Sequence, residues 1–323
     1  MLVGSPTGSL SWIGRRSQGL DQTGTDGRQI LGNGDNRTAV PRVSVGWVGP
    51  GVSPRLTSMT PDRLLTQALA DDPARPLITF YDDSAGERVE LSVVTFANWV
   101  AKTANLLVDG LGGQPGQRVS LDLPTHWQAA VWHAACWAAG LVTVPGVTAG
   151  VTDHIDVAVV AVAARGAGGE RRVPAAEEVV GLGLGPMGLP RRGIDLPAYV
   201  TLDYDREIHG YGDLFRPPSG LGPERPALLA DGSVHSAAEL DAATTARLER
   251  WALPRGARVL SVLPFDGLPA IVAGLLGPLA NGGGTVLCRR ADPGRLAARI
   301  EAEQVNAVAG LPEGVAPGLP RLT

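Results

Sequence analysis

Ser233, His235 and Ser236 stand between a strand-like run at 227–230 and a helix-like run that opens at Ser236. Hydroxyls and an imidazole at such a junction could bind an anion, because the first amides of a helix are unpaired and carry partial positive charge. The plainer reading is a turn and a cap. Ser236-Ala237-Ala238-Glu239 has the spacing of a capping box, in which a hydroxyl and a carboxylate satisfy each other's backbone amides. His126, His133 and Cys136 fall on one helix face at offsets of seven and three, which imitates metal-ligand geometry. They lack a further ligand, and the interspersed Trp127, Trp132 and Trp137 favour core packing, so no metal is expected. Gly183-Leu184-Gly185-Pro186-Met187-Gly188 matches a dinucleotide fingerprint in letters, but Pro186, Pro190 and Arg191-Arg192 oppose the helix that fingerprint must open. Asp203, Asp205, Glu207, His209 and Asp213, mixed with Tyr199, Tyr204 and Tyr211, form a polar stretch read as a solvated loop or edge strand, and as the first choice for a ligand or partner surface. Lysine occurs once, at Lys102.

The composition bounds what these groups can serve. The chain has 323 residues, 44% hydrophobic and 19% charged, enough for one or two ordinary cores. A formal net charge of -4 without a long single-sign run argues against nucleic acid as a partner. Two cysteines, Cys136 and Cys288, form no disulfide framework, and reduced cytoplasmic thiols are the expectation. The longest apolar stretches, 129–142 and 157–164, fall short of the roughly 20 residues a membrane helix needs. The first 30 residues lack a secretory pattern, being broken by Gly4, Pro6, Gly8, Gly14 and Arg15-Arg16. Residues 1–58 show no period of two or 3.6 and are expected to be disordered or a non-native extension, with Met59 as the native start.

The elements that must position the candidate residues begin at Thr60, which can cap a helix entered through Pro61 and Asp62. Residues 76–81 and 88–91 read as a hairpin about Asp82, Asp83, Ser84 and Gly86. Ser92 then caps a helix with Phe96, Val100, Thr103 and Leu107 on one face and Asn98, Lys102 and Asn105 on the other, which predicts a solvated Lys102. A strand at 118–123, a helix at 126–139 and a strand at 141–145 make a βαβ unit. The alternation predicts an α/β fold with a mainly parallel sheet, divided into subdomains 59–220 and 221–323.

Three motifs in this order carry a family likeness: Gly113-Gln114-Pro115-Gly116-Gln117-Arg118-Val119, Leu123-Pro124-Thr125, and Gly140-Leu141-Val142-Thr143-Val144-Pro145. Residues 254–265 and 281–287 add two further strands, and Asp292-Pro293 caps a helix before another strand at 305–309. The series resembles the N-terminal region of the AMP-dependent synthetases and ligases, the adenylate-forming, acyl-CoA synthetase-like enzymes. The body as a whole resembles short, high-GC, actinobacterial-type proteins related to that region.

The resemblance implies specific chemistry. Joining a carboxylate to the α-phosphate of ATP needs cradled phosphates, a metal ion and positive charge on the developing transition state. The family supplies a Thr-Ser-Gly-Thr-Thr-Gly-x-Pro-Lys-Gly loop, whose place here is taken by Asp231-Gly232-Ser233-Val234-His235-Ser236. The family's aromatic and histidine pair after Leu-Pro is replaced by Phe265-Asp266-Gly267, with Asp266 read as a turn residue. No catalytic residue is therefore assigned, and Ser233, His235 and Ser236 remain as a remnant phosphate-site set. The expectation is a truncated, degenerate pseudoenzyme that binds a small ligand or a protein, with a homodimer among the outcomes because uncovered strand edges invite pairing. The alternative is an acyl-activating ligase that takes ATP or AMP with magnesium through a substitute phosphate site or a partner C-terminal domain.

Overall fold

The computed structural model describes residues 59–146, 154–162, 175–190 and 195–322. The expectations for 1–58 fall on residues outside that set. Helix α1 (Pro61–Asp71) starts where Pro61 pre-sets the backbone angle. Thr60 occupies the cap position, but its hydroxyl makes no capping bond. Strands β1 (Pro76–Asp82) and β2 (Glu87–Ser92) form the expected antiparallel hairpin. Ser92 Oγ accepts from Thr95 N to start α2 (Val93–Asn105), which widens into a π-turn at Leu106–Gly110.

Next come β3 (Arg118–Asp122), α3 (Trp127–Ala138), β4 (Val142–Pro145), β5 (Ile155–Ala161), β6 (Ala176–Leu182) and β7 (Leu202–Asp203). A short α4 (Tyr204–Glu207) leads to β8 (Pro226–Ala230), β9 (Ser233–Ser236) and α5 (Ala237–Trp251). Strand β10 (Arg258–Ser261) is followed by α6 (Leu268–Ile271), a π-turn at Val272–Leu276 and α7 (Gly277–Ala280). The chain continues through β11 (Gly284–Arg289), α8 (Pro293–Ala302), β12 (Ala307–Ala309) and β13 (Arg321–Leu322).

These strands form two sheets. The first has the order β13-β12-β10-β11-β1-β2 and the second β7-β6-β5-β3-β4-β8-β9. Each is parallel except for one antiparallel edge strand, β2 in the first and β9 in the second. The mainly parallel α/β architecture is the one the alternation predicts. Sheet membership crosses position 220: β1 pairs with β11, while β8 and β9 complete the sheet begun by β3.

Helix α3 packs on β1 of the first sheet and on β3 and β4 of the second, so it is buried on all sides. That position explains a helix with almost no polar stripe. Trp127, Trp132 and Trp137 are fully buried in the core that joins both sheets, with Trp137 Nε1 donating to Ala227 O at 2.9 Å. Where β10 and β11 start, the backbones approach so closely that a Cβ on Gly283 would lie 1.9 Å from Ala257 O. Only glycine fits there.

Candidate functional site

In open α/β sheets, ligands lie beyond the carboxyl ends of the strands. Here the carboxyl ends of β3, β8 and β10 meet. Thr125 Oγ1, after β3, donates to Val262 O, after β10, at 3.2 Å. A methyl group placed on Gly267 would sit 3.7 Å from Asp231 Oδ2, so the turn after β8 faces the loop after β10. His133 Nε2 lies 3.3 Å from Phe265 O beneath that loop. The ring is fully enclosed, and burial pulls its pKa down to about 4 although the Phe265 carbonyl opposes the shift. Its Nδ1 has no hydrogen-bond partner.

The segment expected to be a turn and cap is instead a two-residue hairpin. Asp231 and Gly232 both have positive φ, 51° and 72°, and Ala230 pairs with Ser233. Asp-Gly is the pair that such a turn selects, because its twist matches the flanking strands. The reading of Ser233 and His235 as turn residues is thereby corrected: they lie on β9, with His235 opposite Leu228 and Ser236 opposite Pro226. The sequence 233–236 is too short and too polar to announce a strand, and β9 exists because β8 offers it an edge.

Ser236 does cap α5. Its Oγ accepts from Glu239 N at 3.2 Å, and Ser236 N donates to Glu239 Oε2 at 2.7 Å. Hydrogen bonds from the Ser236 backbone and side chain hold the Glu239 carboxyl below its ordinary pKa. The positive end of this helix therefore already holds an anion, its own carboxylate. Asp231 and Asp266 are exposed in the two facing turns.

The remaining candidate residues go elsewhere. His126 Nδ1 accepts from Gln128 N at 3.2 Å as the cap of α3, and its ring meets Phe80 edge-on at 4.5 Å. Cys136 is buried, and burial pushes its thiol pKa well up. Among the described residues, no group of three or more His, Cys, Asp or Glu is placed to hold a metal ion. The Gly183–Gly188 segment contains one 3-10 turn, Pro186–Gly188, and no longer helix.

The polar stretch around Tyr204 divides: β7 is the edge strand of its sheet and Glu207, His209 and Asp213 are exposed, whereas Tyr204 and Asp205 turn inward. Tyr204 is fully buried with its hydroxyl 2.8 Å from Thr103 Oγ1, and Asp205 Oδ2 accepts from Gly183 N at 2.8 Å. Lys102, expected to be solvated, donates to Tyr211 O at 2.6 Å and pairs with Asp213 Oδ1 at 2.8 Å. The period placed it on the correct helix face, but a distant segment covers that face.

The fold defines an α/β protein with the architecture of the N-terminal domain of adenylate-forming enzymes. ATP-bound MatB from Rhodopseudomonas palustris matches with a TM-score of 0.57 at 18% identity, over 78% of this chain and 49% of that one. Apo MatB gives 0.57 at 19% identity over 79% and 50%. The nonribosomal peptide synthetase FmoA3 gives 0.55 at 19% identity over 77% and 25%. The chain thus spans about half the length of the MatB structures it matches. No protein-family profile matches the chain. A "TIGR03089 family protein" of Mycobacterium tuberculosis (strain ATCC 25618 / H37Rv) is 39% identical over 249 residues, covering 76% of this chain and 96% of that protein. The chain belongs to this TIGR03089 family.

Proposed function

We propose that the protein is a degenerate homologue that keeps the N-terminal scaffold of an adenylate-forming enzyme and binds a small ligand or a protein without ATP-dependent acid activation. The observation that carries this reading is the Asp231-Gly232 hairpin. Where a phosphate cradle would need a glycine- and hydroxyl-rich loop with a lysine, this chain has a two-residue turn carrying a carboxylate. Glu239 fills the helix end beside it, and Lys102 is engaged by Tyr211 and Asp213. These residues do not fit the phosphate chain of ATP or its magnesium ion, so no catalytic step is derived. The reading includes a cytoplasmic location, supported by two buried free thiols.

Titration calorimetry of the full chain with ATP and AMP, in the presence of magnesium, tests this. No heat at millimolar nucleotide is the expected result; saturable micromolar binding that survives Arg255→Gln overturns it. A second reading, an acyl-activating ligase completed by a separate C-terminal domain, is favoured by the fold shared with ATP-bound MatB. It requires carboxylate-dependent pyrophosphate exchange once a lysine-bearing partner chain is added.

A further inference from the structure

At the opposite end of the strands of the first sheet, β11 starts between β10 and β1. An arginine precedes each of those neighbours: Arg255 before β10 and Arg75 before β1. Both line a cavity of about 440 Å³ at the amino end of β11, beside Gly282. A Cβ on Gly282 would lie 4.0 Å from both Nε and Nη2 of Arg255, which places that guanidinium over the turn. Arg75 Nη1 is occluded from solvent and has no hydrogen-bond partner.

Neither guanidinium has an ion pair or side-chain hydrogen bond among the described residues. Asp71 and Asp72 also line the cavity, but both are exposed, and Asp72 Oδ1 is turned to the amides of Ala74 and Arg75. Burial lowers the Arg75 pKa from its ordinary value; Asp72 and Asp71 oppose the shift and Arg255 adds to it. Two neighbouring guanidinium groups whose nearby carboxylates make no direct pair with them leave room for a bridging anion to form charge-assisted hydrogen bonds. The other wall is apolar, formed by Leu64, Ala68 and Leu279. The volume falls within the range that holds small organic ligands.

We propose that this cavity binds a small oxyanion bearing a short apolar substituent, with Arg75 and Arg255 gripping the anionic head and Leu64, Ala68 and Leu279 covering the tail. The head is a carboxylate or a phosphate monoester, since both present oxygens in a spacing that guanidinium groups match. This site is separate from the loops at the carboxyl ends of the strands and does not depend on the function proposed from them.

The test is calorimetry on the full chain with hexanoate, monohexyl phosphate, inorganic phosphate and, as an uncharged control, hexanol. Saturable binding of hexanoate or monohexyl phosphate, tighter than inorganic phosphate and absent for hexanol, is expected, and the preferred head identifies the ligand class. Arg255→Gln alters an exposed side chain and should weaken binding by about tenfold or more, the loss expected of a charge-assisted hydrogen bond. Arg75→Gln should weaken it at least as much, with its thermal transition recorded to establish folding. Failure of both hexyl anions to bind at millimolar concentration, or binding unchanged by both substitutions, overturns the proposal. Nucleotide binding that disappears in Arg255→Gln belongs to this cavity; nucleotide binding that survives there counts against the reading of the Asp231-Gly232 turn.

Discussion

Protonating His133 in the folded protein places a charge among Trp137, Phe265 and the apolar face of α3. The unfolded imidazole takes a proton near its ordinary pKa of about 6.5, while the folded one resists until about 4. A depressed folded pKa contributes stability that is complete above the unfolded value and is lost as pH falls toward the folded one. Denaturant titrations should therefore show stability declining between those two values, with His133→Leu flattening the decline; an unchanged profile would remove His133 as its source. Glu303 acts lower on the scale. Burial raises its pKa, but hydrogen bonds from Tyr81 and Arg88 and the charge of Arg258 outweigh burial and hold it below the ordinary range. Its contribution is present above the unfolded carboxylate pKa and fades on further acidification. Glu303→Gln should cost about 1–3 kcal/mol at neutral pH and reduce the acid-induced loss of stability below about pH 4.

Elements were legible to the extent that their residues carry turn or period chemistry. Ser92, Ser236 and Asp292 announced helices α2, α5 and α8, and each supplies the side-chain cap expected of it. Thr60 announced α1 without making that bond, because Pro61 alone suffices to enter the helix. Strand β9 was not legible, since its pairing depends on β8 rather than on its own residues. The covering of α2 was invisible for a similar reason. Lys102 and Asn105 reach backbone oxygens of Tyr211, Gly212 and Leu214, and no local pattern reports an acceptor more than 100 positions away. Replacing Lys102 with Met should cost about 1–2 kcal/mol and accelerate amide exchange across 208–214. Unchanged protection there would mean that Asn105 and the buried Tyr204 ring hold the segment without the lysine.

The whole molecule depends on α3, whose tryptophans belong to the core that serves both sheets. Trp132→Ala should destabilise the protein by about 3–5 kcal/mol, with tryptophan fluorescence and far-UV circular dichroism shifting together. Separate transitions by the two probes would show that the sheets unfold independently. The family motifs at 113–145 made the β3-α3-β4 unit of the second sheet readable from sequence, whereas the interleaving of the first sheet was hidden, because nothing in 76–82 names 284–289 as its neighbour. That pairing has a consequence during synthesis. The hairpin of β1 and β2 leaves the ribosome with one flank of β1 bare, and about 200 residues must follow before β11 can cover it. At about 5–20 residues per second the flank waits roughly 10–40 seconds, so a nascent-chain chaperone has most to do on β1, long before the last strand is made.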